Sequence, residues 1–289
     1  MIISIASGKG GAGKTTVATN LAHVLSQSSK KRVRLLDCDV EEPNAHLFLR
    51  PHLTRRETVT TPVPVIDEER CDYCGKCAAI CRFRAIAVLG GKTILTFPEM
   101  CHSCGGCLLV CPHGAISETG RELGILERGR AGDMEFVHGR LRVGEAMSPP
   151  LITRVREHSE SGDINIIDAP PGTSCPVITA MRRTDFILLV TEPTPFGLHD
   201  LRLTVGAVRL LEIPFGLVIN RADMGDRKVY EYARSERIPI LLEIPFDRAV
   251  AEAYSRGELF TEKLPEWERR FLELYERIEN LLEKSSCVN

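Results

Sequence analysis

A glycine-rich octapeptide near the beginning of the chain has the pattern of a phosphate-binding loop. It reads Gly8-Lys9-Gly10-Gly11-Ala12-Gly13-Lys14-Thr15. It lies between an apolar run and a segment with helical spacing, where backbone N–H groups and a helix N-terminus can hold phosphate oxygens. The pattern predicts that Lys14 reaches the β- and γ-phosphates of a nucleotide and that Thr15 ligates Mg²⁺. The predicted nucleotide ligands in this segment are Gly8, Gly10, Gly11, Ala12, Gly13, Lys14, Thr15 and Thr16.

Eight of the 11 cysteines form two matching runs, each with the spacing C-x₂-C-x₂-C-x₃-C. This spacing is typical of bacterial two-cluster iron–sulfur proteins, in which the fourth cysteine of each run ligates the other cluster. We therefore expect two [4Fe–4S] clusters. The two predicted ligand sets are Cys71, Cys74, Cys77 and Cys111, and Cys101, Cys104, Cys107 and Cys81. Zinc fits poorly, because its four ligands usually come from two separated pairs. A disulfide framework is not expected, because no secretory signal is recognisable.

The remaining three cysteines carry weaker signals. Cys38 is expected to pack at the end of a strand, and Cys287 lies in the C-terminal tail. Cys175 follows a Gly-Thr-Ser sequence and is expected to begin a helix. Its thiol is expected to have no functional role, since free cysteines are often simply buried. Contact with a metal or with a partner at a subunit interface is the alternative for Cys175.

The residues above need elements that bring them to one edge of a sheet. Apolar runs that suit strands buried on both faces recur at residues 2–6, 33–36, 164–167, 186–190, 215–219 and 240–244. Helical spacing between most of these runs predicts an α/β fold with a mostly parallel sheet, built around a P-loop NTPase site.

The cysteine-rich segment interrupts this α/β pattern. We predict an N-terminal part of the ATPase domain at residues 1–57, an inserted small α+β domain of the bacterial ferredoxin type at 58–120, and the remaining ATPase part at 121–289. A hairpin-like return to the main domain is expected within 121–147, from short alternating runs at 134–137 and 140–143.

Charge and hydropathy argue against several classes of partner. The net charge of -2 gives no sign of a nucleic-acid partner, and no run of 18 apolar residues predicts a membrane-spanning helix. An apolar stripe at residues 266–283 predicts a terminal helix that docks on the core. Its polar face is not basic, unlike that of a membrane-surface helix. We expect a cytoplasmic protein with no membrane contact.

Lys9 makes the loop pattern more specific. The sequence K-G-G-x-G-K-[ST]-T resembles the deviant Walker A family of MinD, ParA, the Mrp-type carriers and the nitrogenase iron protein. The resemblance implies that Lys9 crosses a dimer interface to the partner's nucleotide. It thus implies a homodimer with ATP or ADP at the interface, with Lys9, Lys14 and Asp39 as catalytic residues.

Other segments carry the same resemblance. The sequence that ends in Asp37-Cys38-Asp39 looks like switch I, which implies that Asp37 lies near Mg²⁺ and that Asp39 orients or activates the attacking water. Residues 166–173 look like the Walker B strand and switch II, so that Asp168 would hold Mg²⁺ through water and Gly172 would sense the γ-phosphate. The segments that would flank adenine contribute Asn220, Arg221 and Pro245.

The resemblance spans nearly the whole chain and is closest to MinD-superfamily ATPases with an inserted ferredoxin domain. Since the cysteine segment closely follows switch I, our hypothesis is that ATP binding and hydrolysis gate electron transfer through two clusters to a redox partner. The alternative is an ATPase that assembles or delivers clusters or metal cofactors to a client protein. Mrp-type carriers have a further C-x-x-C in the ATPase domain, which this sequence lacks. A MinD- or ParA-like spatial organiser is the third possibility, against which the charge of the last helix argues.

Overall fold

The computed structural model describes residues 1–286, and two sheets hold its strands. The strands are β1 (Ile2–Ala6), β2 (Val33–Asp37), β3 (His52–Ile66), β4 (Ile86–Leu89), β5 (Thr93–Thr96), β6 (Ile116–Ala131), β7 (Met134–Leu141), β8 (Ile164–Asp168), β9 (Phe186–Thr191), β10 (Phe215–Asn220) and β11 (Ile240–Ile244). The larger sheet has the order β11-β10-β9-β1-β8-β2-β7-β6-β3. Every pair from β11 to β7 is parallel, whereas β6 runs antiparallel to both β7 and β3.

Helices cover both faces of this sheet, as a mostly parallel sheet requires. The described helices are α1 (Lys14–Ser28), α2 (Ala45–Leu49), α3 (Lys76–Ile80), α4 (Gly106–Val110), α5 (Pro149–Arg156), α6 (Cys175–Met181), α7 (Pro195–Arg209), α8 (Lys228–Ser235), α9 (Arg248–Ser255), α10 (Phe260–Lys263) and α11 (Glu266–Ser286), of which α3 and α4 lie in the cysteine-rich segment and not on the large sheet. One core contains residues of α1 and α9 to α11, and the other contains residues of α5 to α8. The mostly parallel α/β prediction is therefore confirmed.

The last helix docks on the core, as its apolar stripe predicted. Phe271, Leu274 and Ile278 are fully buried, and Phe271 packs against Phe260. Burial of three large side chains stabilises this helix against the first core, because each one removed from water contributes about 1.5–3 kcal/mol. No helix in the described part of the chain is long and apolar enough to cross a membrane.

All six apolar runs are strands, but the sequence did not show the two longest strands. β3 and β6 form an antiparallel ribbon whose register runs from His52 opposite Arg130 to Ile66 opposite Ile116. The expected boundaries after residues 57 and 120 fall inside these strands. The hairpin expected within 121–147 is formed by β6 and β7, and the runs 134–137 and 140–143 are not two paired strands. Mostly exposed ribbon residues lack the apolar run that identifies a buried strand.

Residues 67–115, here called the cysteine lobe, lie at the end of the ribbon. The lobe contains α3, α4, a short 3-10 helix at Pro98–Met100 and the β4–β5 hairpin. A small apolar cluster of Cys77, Ile86 and Ile94 fills its interior. The lobe begins directly after β3 and ends directly before β6, so strands of the large sheet hold both of its ends.

Candidate functional site

The glycine-rich loop curves between β1 and α1 in a shape that depends on two glycines. Gly13 precedes α1 with φ +100°, and a Cβ there would lie 2.5 Å from Nδ2 of Asn220. A Cβ on Gly8 would lie 2.6 Å from the backbone oxygen of Asp200 in α7. Because both contacts would be too close, only glycine allows this loop to pack between α7 and the end of β10.

A cavity of about 370 Å³ opens in front of this loop. Lys14 and Thr15 begin α1 beneath it, and Asp39 faces it from the segment after β2. The predicted residues that line the cavity are Gly10, Gly11, Gly13, Lys14, Thr15, Thr16, Asp39, Asn220, Arg221 and Pro245. A Cβ on Gly10 or Gly11 would meet nothing within 4 Å, so the loop leaves open space for phosphate oxygens. This volume suits a nucleotide, since ligand pockets span about 300–1,000 Å³.

Asp168 and Thr15 form the base of the predicted magnesium site. Thr15 Oγ1 donates to Asp168 Oδ2 at 2.6 Å, and Asp168 Oδ1 is buried without a hydrogen-bond partner. Burial raises the pKa of Asp168 to about 6, and Lys14 and Thr15 oppose that rise. A buried carboxylate with an unused oxygen beside a hydroxyl fits Mg²⁺, which prefers oxygen ligands and keeps several waters.

Asp37 and Asp39 differ in what they can do. Asp37 is fully buried, and its two oxygens accept from the N–H groups of Asp39 and Ala45, each at 3.1 Å. Burial and the nearby Asp168 raise the pKa of Asp37 well above its usual range. Burial also raises the pKa of Asp39 to about 6, and Lys14 lowers it in part. Asp37 thus shapes the turn, while Asp39 is a carboxylate that faces the cavity.

Asn220 and Arg221 hold the loop from the end of β10. Asn220 Nδ2 donates to the carbonyl of Ala12 at 3.0 Å, and its Oδ1 accepts from the N–H of Arg221. One Nδ2 hydrogen of Asn220 remains for a ligand, because an amide nitrogen carries two. Asn220 therefore joins the predicted base-flanking strand end to the phosphate loop.

Several predicted residues lie behind the loop rather than on the cavity wall. Ala12 is buried, and its carbonyl meets Asn220. The N–H of Gly172 donates to the carbonyl of Ser7 at 2.9 Å, so it is already used in this conformation. The predicted site residues that do not line the cavity are Gly8, Lys9, Ala12, Asp37, Asp168 and Gly172.

Lys9 pairs with a residue that the sequence reading missed. Its Nζ lies 3.0 Å from Oε2 of Glu192, whose other oxygen accepts from Arg221 NH1 at 2.5 Å. Glu192 is almost completely buried at the corner between β9 and α7. A charged residue directly after a buried apolar strand was the available signal, because charges are rarely buried unless paired.

Further cavity residues come from the chain after β11. Asp247 caps α9 by accepting from the N–H of Ala249 at 2.7 Å, which directs that helix toward the cavity. The remaining wall residues are Glu42, Asn44, Pro171, Ile244, Phe246, Asp247, Val250, Ala251 and Tyr254. Of these, Pro171 lies in the expected switch II segment, Ile244, Phe246 and Asp247 lie around Pro245 in the segment expected to flank the base, and the others were not assigned. The spacing of Val250, Ala251 and Tyr254 on one helical face was the available signal.

The cysteine lobe brings the eight clustered cysteines around two separate cavities. We call the first set quartet A; its cavity is lined by Cys71, Cys74, Cys77 and Cys111. We call the second set quartet B; its cavity is lined by Cys81, Cys101, Cys104 and Cys107. Each cavity therefore combines three cysteines of one run with the fourth of the other.

Backbone N–H groups point at several of these sulfur atoms. Cys81 Sγ accepts from Ala85 N and Cys111 Sγ accepts from Ala115 N, both at 3.2 Å. Ser103 N donates to Cys101 Sγ at 3.4 Å. Thiolates with N–H donors are the ligand set of iron–sulfur clusters. Within residues 1–286, no group of three or more His, Cys, Asp or Glu side chains is arranged to hold a metal ion.

Quartet B lies against the ribbon that connects the lobe to the main sheet. Pro62 and Pro64 of β3 and Glu118 of β6 line its cavity. Thr61 and Ser103 hydrogen bond through their hydroxyls at 2.7 Å. These contacts attach the second run to the strand that begins shortly after Asp39.

The other cysteines lie elsewhere. Cys38 is fully buried, and its burial raises the pKa of the thiol well above the usual range. Cys175 is exposed at the first position of α6, and the expected position at the beginning of a helix is confirmed. Cys287 lies outside the described residues.

Comparison with known proteins places the fold and the family. Residues 3–260 match the family model described as the CobQ/CobB/MinD/ParA nucleotide binding domain. The chain resembles the solved MinD of Pyrococcus horikoshii in complex with Mg-ADP, with a TM-score of 0.60, 20% identity, and coverage of 97% of this chain and 96% of that one.

Three curated relatives cover most of the chain. An uncharacterized protein of Methanocaldococcus jannaschii is 30% identical over 90% of this chain and 91% of its own length. An iron-sulfur cluster carrier protein of Aquifex aeolicus is 27% identical over 89% of this chain and 60% of its own length. A cytosolic Fe-S cluster assembly factor, a Nubp2 homolog of Anopheles gambiae, is 27% identical, with 92% and 90% covered.

Proposed function

Since the chain belongs to the CobQ/CobB/MinD/ParA nucleotide-binding family, we propose that it is an ATP-dependent iron–sulfur protein that assembles or delivers clusters. One observation carries the proposal. A single chain holds a nucleotide-sized cavity at a phosphate loop and two cysteine quartets, each around its own cavity. The names of the Aquifex and Anopheles relatives support cluster assembly or delivery over electron transfer.

In this proposal the cavity residues bind Mg²⁺–ATP and hydrolyse it. Lys14 neutralises the β- and γ-phosphates, and Thr15 with Asp168 holds the metal and its waters. Asp39, a carboxylate on the cavity wall next to the strand of Asp37, orients the attacking water. Phosphoryl transfer depends mainly on positioning and charge neutralisation, which these groups supply. Mg²⁺ adds charge neutralisation between the phosphates when it is bound.

We propose that the active unit is a homodimer. Lys9 is turned to Glu192 and does not line the nucleotide cavity of its own chain. A lysine in this position is free to serve a second nucleotide across an interface once its ion pair opens. This arrangement supports the predicted catalytic role of Lys9 in the partner's site.

The cysteine lobe, with the ribbon residues that begin near 58 and end near 120, is the proposed cluster-holding insertion. Quartets A and B would each ligate one [4Fe–4S] cluster through four thiolates. Because cluster ligation needs reduced thiols, we propose that the protein acts in the cytoplasm, with a client protein and no membrane or nucleic-acid partner.

A short structural route connects the two sites. Asp37 holds α2 through the N–H of Ala45, and β3 starts three residues after that helix ends. The ribbon then reaches quartet B at Pro62 and Pro64. In P-loop proteins the segments beside the γ-phosphate change on hydrolysis, so this route is our proposed coupling path.

Cluster transfer under anaerobic conditions tests the proposal. The protein is loaded with iron and sulfide, mixed with apo-aconitase, and the recovery of aconitase activity is followed with ATP, with ADP and without nucleotide. We expect transfer with a rate that depends on nucleotide, and Lys14→Ala should remove that dependence while it keeps its clusters. Failure to load clusters, or clusters that never leave, would contradict the proposal.

Electron transfer is the second candidate, and one observation favours it. The crossed quartets place two cluster sites within one small lobe, which is the arrangement of an electron relay. An electron carrier keeps its clusters through many reduction cycles, whereas a delivery protein loses them to an acceptor. Midpoint potentials that respond to nucleotide, with clusters that stay bound, would favour this candidate.

A further inference from the structure

The two halves of the cysteine lobe share one backbone conformation. Tyr73 and Ser103, 30 positions apart, have φ of +56° and +54°. The N–H groups of Asp67 and Phe97, also 30 apart, donate to the carbonyls of Ala115 and Ala85 at 2.8 Å in both cases. Each residue around quartet A therefore has a structural counterpart around quartet B, and the two sites can be compared position by position.

The counterparts differ sharply in polarity. Asp67 and Arg70 beside quartet A correspond to Phe97 and Met100 beside quartet B. Across quartet A, His113 Nε2 lies 3.0 Å from Asp72 Oδ2.

The same two positions at quartet B form a ring-stacking contact instead. They hold Phe83 and His102, whose ring centroids lie 3.5 Å apart. At these matched positions, quartet A has charged and hydrogen-bonded groups where quartet B has mainly aromatic and apolar side chains.

The apolar border of quartet B faces solvent. We call it the apolar rim; it consists of Ile80, Phe83, Phe97 and Met100, which are 42%, 39%, 40% and 46% exposed. Ile80 and Phe83 line the quartet B cavity, and Phe97 and Met100 lie just before Cys101 in the chain. Charges of both signs lie nearby in the chain or on the cavity wall: Arg82, Arg84, Glu99 and Glu118. Exposed apolar side chains with charged neighbours of both signs are a combination found at protein–protein interfaces. Exposed apolar patches on a soluble protein commonly mark such sites.

We propose that the apolar rim is the docking surface for the acceptor of a cluster, and that quartet B is the site from which the cluster leaves. The occupant is a cysteine-bearing apo-protein with a complementary apolar face. This inference rests on the proposed delivery function. At the backbone positions that match Phe97 and Met100 of the rim, quartet A has Asp67 and Arg70, whose charged groups would have to lose their hydration in such a contact.

The transfer balances without a redox partner. Four bonds between iron and the thiolates of Cys81, Cys101, Cys104 and Cys107 break, and four bonds to acceptor ligands form, which are thiolates and, where a thiolate is lacking, water. Each acceptor thiol that binds iron releases one proton, and the four vacated thiolates take up protons from these thiols and from solvent. Iron and sulfide move together and keep their oxidation states, so ligand exchange is the entire reaction.

The repeat itself supplies the test variant. Phe97→Asp with Met100→Arg gives the apolar rim the side chains that quartet A has at the same backbone positions, so the fold tolerates them in a matched setting. Glu69→Lys, an exposed charge change beside quartet A, is the control. Iron and sulfide per chain are measured first, then the initial rate of cluster transfer to apo-aconitase. Hydrogen exchange is recorded with and without apo-aconitase.

We expect the double variant to load as much iron as the parent and to transfer about tenfold more slowly, while Glu69→Lys transfers at the parent rate. Apo-aconitase should protect residues 80–85 and 97–103 from exchange and leave residues 67–73 unprotected. Equal transfer rates in parent and double variant, or protection at 67–73 instead, would overturn the inference. A parent that loads no clusters would instead refute the proposed function.

Discussion

Lys9 Nζ lies 3.0 Å from Glu192 Oε2, and neither residue lines the nucleotide cavity. Glu192 shares its second oxygen with Arg221, so one buried carboxylate joins the loop to the end of β10. A charge-assisted contact of this kind holds Lys9 in place until another anion competes for it.

Glu192→Gln should release Lys9 and strengthen nucleotide-dependent dimerisation. Lys9 would no longer have to break an ion pair before it reaches the partner's nucleotide. We therefore expect the dimer dissociation constant, with a non-hydrolysable ATP analogue bound, to fall about threefold, which corresponds to the free energy of a partly exposed ion pair. Sedimentation equilibrium measures it. Glu236→Gln, which breaks a pair with Arg209 far from the loop, is the matched control. Unchanged or weaker dimerisation would contradict this role of Glu192.

The two loop lysines should separate binding from hydrolysis. Lys14 lines the cavity and Lys9 does not, so Lys14→Ala should weaken binding of a fluorescent ATP analogue by about 30-fold or more. Lys9→Ala should change that affinity by no more than about threefold and abolish phosphate release. Equal losses of affinity in the two variants would show that Lys9 acts within its own chain.

Binding of Mg²⁺–nucleotide should weaken in mild acid. The pKa of Asp168 and that of Asp39 are raised by burial to about 6, and Mg²⁺ needs ionised carboxylates. Protons therefore compete with the metal below pH 6, and affinity should drop at least about fourfold from pH 7.5 to 5.5. Titrations with and without EDTA measure the effect, and Asp168→Asn should lose most of it. The same pH slope in EDTA would assign it to other groups.

Pairs of cysteine substitutions should reveal the crossed ligand sets. Cys81→Ala with Cys104→Ala removes two members of quartet B, and we expect about four of about eight irons to remain. Cys81→Ala with Cys74→Ala affects both quartets and should leave almost no iron. Iron analysis after anaerobic reconstitution measures both. The opposite order of iron contents would show that each run ligates its own cluster.

The sequence by itself determined the features that depend on local order. We could predict the glycine-rich loop before α1, the six buried strands and the two cysteine sets from the sequence. In each case a short sequence pattern restricts the local geometry that the chain can form. The pairing of Thr15 with Asp168 follows the expected order of motifs along parallel strands, whose carboxyl ends meet at one edge.

Only the tertiary structure decided which distant groups meet. Glu192 reaches Lys9 and Arg221 because β9 lies between β1 and β10, a neighbourhood that no local pattern encodes. The long ribbon of β3 and β6 exists because two segments with few buried residues pair with each other, and such strands lack the apolar run that identifies a fully buried strand. The contrast between the charged border of quartet A and the apolar rim of quartet B likewise depends on folding. The fourth cysteine of each run lies with the first three cysteines of the other run, and the residues that follow it in the chain lie there too. Phe83 therefore borders quartet B, and His113 borders quartet A.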